Sequence, residues 1–105
     1  MRVLTESEVR VGARVLYGGE ASERDVSAAA AEHGHILISG HPGVIAHIHG
    51  PGNCHVVVEF IGLEAEGISV GVGWDPIADG TYPQLFVPEN AEWERALTAG
   101  WWAAQ

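Results

Sequence analysis

The sequence predicts a mainly β domain: an antiparallel barrel of five or six short strands, with a helix inserted at about 22–33 and a second helix at about 90–99. Three observations carry that expectation. Runs rich in Val, Ile, Tyr and Phe recur at short, regular intervals, separated by Gly, Pro, Asn and Asp. Only two stretches have helical character, so the strand–helix–strand alternation of a parallel sheet is missing. The runs Val44–His49 and Cys54–Ile61 flank Gly50-Pro51-Gly52-Asn53, which reads as a β-hairpin. At 105 residues the chain is expected to form one domain, 1–105, with a single modest core.

Each element has its own warrant. Thr5 and Glu8 have capping-box spacing and open one helical turn. A first strand is expected from Val9 to Tyr17, ended by Gly18-Gly19. Ser22 can cap a helix, with Asp25 three residues on; Ala28–Ala31 propagate it, and His33 and Gly34 suit its end. The apolar face of that helix is thin, so it is expected on the surface of the sheet. His35-Ile36-Leu37-Ile38 reads as a short strand or the lead into one, and Gly40–Gly43 as a turn. In the hairpin, alternation places Ile45, His47 and His49 on one face with Cys54, Val56, Val58 and Phe60. It also sets His49 opposite Cys54, and His47 opposite Val56. Gly67–Trp74 is a further strand, and Asp75-Pro76 and Asp79-Gly80 bound a loop. Tyr82–Val87 follows, with Pro83 marking an edge or bulge. From Pro88 the pattern turns helical: Asn90 can cap, and Trp93, Leu97 and Trp101 form one stripe.

Three pieces carry a family resemblance. Val9-Arg10-Val11-Gly12-Ala13-Arg14-Val15 resembles the V-x-x-G-x-x-V opening strand of SH3-like barrels. Gly43-Val44-Ile45 and Val58-Glu59-Phe60 resemble their G-x-V strand and its V-x-F partner. Val72-Gly73-Trp74-Asp75, Leu85-Phe86-Val87-Pro88 and the acidic helix after them resemble the closing part of small bacterial SH3-like proteins of unknown function. The resemblance implies a fold and carries no functional residues with it, because the fold hosts many activities. Gln84-Leu85-Phe86-Val87-Pro88 is similar to the closing strand of plasmid-type dihydrofolate reductases, Q-I-Y-P. Those enzymes hold a phosphorylated cofactor with lysines, and this chain has no lysine, which argues against that activity.

Charge narrows the function further. Fourteen acidic residues face five arginines, and the net charge is −9 with histidines neutral. Clustered Lys and Arg are what nucleic acids and anionic membranes require, so neither partner is expected. A cationic small molecule or a basic protein segment is favoured instead. A single cysteine and the lack of a signal-peptide pattern at 1–11 fit a cytoplasmic protein.

Two constellations could carry chemistry. Trp74, Asp75, Asp79 and Tyr82 combine an aromatic face with carboxylates, a pattern able to hold a cation. His47, His49 and Cys54 could converge as two imidazoles and a thiolate, a zinc set and the basis of a hydrolytic centre. The chain has no Cys-x-x-Cys, no His-x-x-x-His and no Gly-x-Ser-x-Gly, so the reading leans away from an enzyme. Trp93, Leu97, Trp101 and Trp102 form an aromatic surface suited to self-association. The leading expectation is therefore a non-enzymatic binding module that self-associates. A zinc protein and a purely structural oligomer are the alternatives.

Overall fold

Alternating apolar residues in six short runs produce one curled antiparallel sheet. In the computed structural model, which describes residues 2–18, 40–50, 52, 54–65 and 68–99, the strands are β1 (Arg2–Thr5), β2 (Arg14–Tyr17), β3 (Pro42–Ile48), β4 (Val56–Ala65), β5 (Ile68–Trp74) and β6 (Thr81–Val87). A 3₁₀ turn, Glu6–Glu8, follows β1, and helix α1 covers Asn90–Ala99. The strand order is β1-β6-β2-β3-β4-β5, with every pair antiparallel. Strands β2 to β5 are sequential neighbours, and β6 returns beside β2, so the sheet curls into a half-barrel.

The concave face holds the core. Leu4, Val15, Tyr17, Ile45, Val56, Val58, Phe60, Val72, Tyr82 and Leu85 form one buried cluster. Register explains why: Ile45, Val58 and Val72 are direct partners across three strands, and Leu85 faces Tyr17. The aromatic centre is Tyr17, Phe60 and Trp74, with ring centroids 5.8 to 6.3 Å apart. Gly43 faces Phe60 in register, and its lack of a side chain makes room for the Val58 and Phe60 side chains. Leu16, Pro42 and Trp93 are also buried but lie outside this cluster. Leu16 pairs with Phe86 and Pro42, so it belongs to the convex face. The Phe86 ring fills the space that a side chain at Gly18 would need.

Several elements differ from the sequence expectation. The first strand does not run from Val9 to Tyr17: Val9–Ala13 is a turn, and the strand starts at Arg14. Gly12 has φ +91, a left-handed conformation that breaks a strand, and its N–H bonds to Ile45 O at 2.8 Å. Strand β1 was not anticipated, because its four residues bury only Leu4. The turn at Glu6–Glu8, the strand ending at Tyr17, the hairpin, the strand closing at Trp74 and the helix at 90–99 all form as expected. Pro83 lies where β1's partners jump from Phe86 to Tyr82, an irregularity that tolerates its missing N–H. The expected helix at 22–33 and the short run at 35–38 lie outside the described residues.

Candidate functional site

The hairpin settles where the histidines point. Ile45 pairs with Val58 as expected, but His47 pairs with Val57 and Ile48 with Val56. A bulge at Ala46 inserts one residue and reverses the facing of everything beyond it. His49 therefore lies opposite His55, to whose carbonyl its N–H bonds at 2.8 Å, rather than opposite Cys54. His47 and His49 are exposed, with ring centroids 6.2 Å apart. Cys54 has φ +55 and lies over Gly73, with Sγ 2.8 Å from where a Gly73 Cβ would stand. Among the described residues, no three His, Cys, Asp or Glu side chains come close enough to hold one metal ion.

The Trp74–Tyr82 region is occupied with structural work. Asp75 accepts backbone hydrogen bonds from Gly52 (3.2 Å), Cys54 (3.4 Å) and His55 (2.9 Å), clamping the hairpin loop. Those bonds, His55 N–H first, hold the Asp75 carboxyl below its ordinary range. Asp79 is held low by Thr81, whose hydroxyl donates at 2.6 Å and whose N–H donates at 3.0 Å. Trp74 is half-buried against Tyr17 and Phe60, and its Nε1 donates to Gln84 Oε1 at 2.8 Å. Tyr82 is fully buried. Its hydroxyl bonds to His55 Nδ1, and burial, with Glu6 and Asp75 nearby, pushes its pKa up to about 12. His41, at the end of β3 away from the hairpin loop, is also buried, and its Nε2 bonds to Ile61 O at 2.8 Å.

The Asp75 clamp gives a pH prediction. A carboxyl held below its unfolded value adds stability that is present above about pH 4 and is lost as the pH falls through its lower folded value. Asp75→Asn is expected to lower the melting temperature at pH 7 and to flatten the decline between about pH 5 and pH 2. It should also speed amide exchange at Cys54 and His55. Equal acid slopes in the two proteins would refute the clamp.

A different cleft brings polar groups together at the surface. It measures about 480 Å³ and lies between the Glu6–Glu8 turn, the Val9–Ala13 turn and the junction of β6 with α1. Arg2, Arg10 and Arg14 line it, with Ser7, Glu8 and Asn90; Leu4, Ala13, Val87 and Pro88 supply its apolar wall. Three of the chain's five arginines thus meet one carboxylate in a protein of net charge −9. Glu8 pairs with Arg2. Burial pushes the Glu8 carboxyl up, but the bonds from Arg2 and Thr5 outweigh that and hold it low. Arg14 places its guanidinium carbon 5.2 Å from the centroid of the buried Trp93 ring. The Gly12 turn fixes the spacing, through Gly12 N–H to Ile45 O and Ala13 N–H to Arg10 O at 3.2 Å.

The residues expected to carry self-association divide. Trp93 is buried in the fold, Leu97 is half-buried, and Trp101 and Trp102 lie outside the described residues. No helix among the described residues is long and apolar enough to cross a membrane. The arginine cleft escaped sequence reasoning because its lining runs from Arg2 to Asn90, drawn together from both ends of the described chain. The available signal was the crowding of four of the five arginines, Arg2, Arg10, Arg14 and Arg24, into the first quarter of the chain. No family model matches the chain, and neither a curated protein nor a solved structure is significantly similar to it.

Proposed function

We propose that this chain is a non-enzymatic binding module on an SH3-like barrel, and that its ligand site is the arginine-lined cleft. The strand order supports the fold: without β1 it reads β6-β2-β3-β4-β5, a four-strand meander from β2 to β5 with the following strand, β6, returning beside β2. The cleft carries the functional reading, since about 480 Å³ is a small-molecule size and its wall mixes apolar and convergent polar groups. The Trp74 region supports a ligand less well, because Tyr82 is buried and Asp75 and Asp79 are taken up by backbone and Thr81 donors. A saturation-transfer NMR screen of small cationic, neutral and anionic fragments tests the reading. Hits on the native protein are expected to vanish in an Arg10→Gln/Arg14→Gln variant that keeps its fold. Hits that all persist in that variant would overturn the assignment.

A second reading, self-association, rests on β5. Among the described strands β5 pairs only with β4, and its sequence, Ile-Ser-Val-Gly-Val-Gly-Trp, carries no charge or proline to blunt an edge. Edge pairing with a second copy is then the expected association. Sedimentation at two concentrations should give a mass of two chains at the higher one, and Val70→Lys should abolish it. A monomer throughout would reject this reading.

A further inference from the structure

We infer that the arginine cleft takes a small oxyanion, a carboxylate or phosphate group on a partly apolar body; this rests on the cleft being the ligand site. The whole-chain charge points the other way, which makes the local arrangement informative. An acidic protein of net charge −9 gains nothing in solubility by gathering three of its five arginines around one concavity. Like charges placed together cost energy unless an anion joins them. Glu8 answers only one of the three, Arg2.

Arg10 and Arg14 are the recognition pair. Each guanidinium presents N–H donors in a planar fork that matches the two oxygens of a carboxylate or phosphate. Arg14 is held over the Trp93 ring, which limits its rotamers and so reduces the entropy lost when it binds. The Ser7 hydroxyl at the rim donates to Thr5 Oγ1, whose own proton goes to Glu8, so the cleft's donors to an anion are its guanidinium groups. Val87 and Pro88, both half-buried, offer the apolar wall on which a short carbon body can rest. Gly12 lines the cleft with nothing within 4 Å of a Cβ placed there, so a ligand can approach the backbone closely at this point.

Isothermal titration at matched ionic strength tests the inference, using succinate, inorganic phosphate and 1,4-diaminobutane as probes. Succinate or phosphate should bind, the diamine should not, and affinity should fall as sodium chloride is raised. Preference for one of the two anions identifies the source of the oxyanion. Arg10→Gln and Arg14→Gln should each weaken binding about tenfold or more, the value of one charge-assisted contact. Arg14→Lys, which keeps the charge and loses the fork, should recover only part of that loss. Arg95→Gln, on α1 outside the cleft, should change nothing. Amide spectra recorded alongside show that each variant is folded. Neutral or cationic fragments bound in the cleft, with no response to either anion, would overturn the oxyanion inference and leave the site standing. Absence of any cleft ligand would overturn both. Anion binding unchanged in the Arg10 and Arg14 variants would place the anion elsewhere and refute the inference.

Discussion

Tyr17→Ala is expected to lower the stability of the folded chain by about 3–5 kcal/mol, the range for truncating a buried aromatic. Tyr17 is 1% exposed and packs against two other rings, with Phe60 edge-on at 6.3 Å and Trp74 tilted at 6.2 Å. Its strand is the hinge of the sheet, pairing with β3 on one side and β6 on the other. The lost ring leaves a cavity that neither neighbour can fill, because both are anchored in their own strands. A small domain has only about 5–15 kcal/mol in total, so the variant should unfold at markedly lower urea. Val11→Ala, at a position 64% exposed, is the internal comparison and should stay within about 0.5 kcal/mol of the parent. Similar midpoints for the two variants would mean that Tyr17 does not centre the core.

Gly43→Val is expected to destabilise by about 1–3 kcal/mol, the typical cost of overpacking a core. A Cβ at Gly43 would stand 2.7 Å from Val58 Cγ1 and 2.8 Å from Phe60 Cδ1. Both neighbours are buried and locked in register, so relief requires moving β3 away from β4. A branched side chain adds two further atoms to the same space. Gly50→Ala offers the contrast: nothing lies within 4 Å of its Cβ, and its stability should barely change. Urea unfolding of the pair measures the difference. Equal stability would show that the sheet relaxes freely at β3, against the packing described.

The extent to which these features can be read from sequence follows from the physics of each. The hairpin, the strand ending at Trp74 and helix α1 rest on local patterns, apolar alternation, turn residues and a capped stripe, and those patterns are visible in the chain. Strand β1 exists because β6 accepts it, a non-local fact with one buried residue to announce it. The bulge at Ala46 leaves no signal in residue types, yet it turns His47 and His49 away from the face that Ile45 occupies. Alternation alone therefore grouped the two histidines with Cys54. The arginine cleft is built by long-range pairing: β1 brings Arg2, the Gly12 turn brings Arg10 and Arg14, and the β6–α1 junction brings Asn90. Composition reported an acidic protein and was silent about where the few cations meet.

The most direct test of the binding account is an amide chemical-shift map of a bound fragment on the full chain. The account predicts shifts concentrated on Ser7, Arg10, Gly12, Arg14 and Asn90, together with the Trp93 indole. Shifts concentrated instead on Cys54, His55, Asp75 and Thr81, with the cleft amides unmoved, would contradict it and return the ligand site to the loop after Trp74.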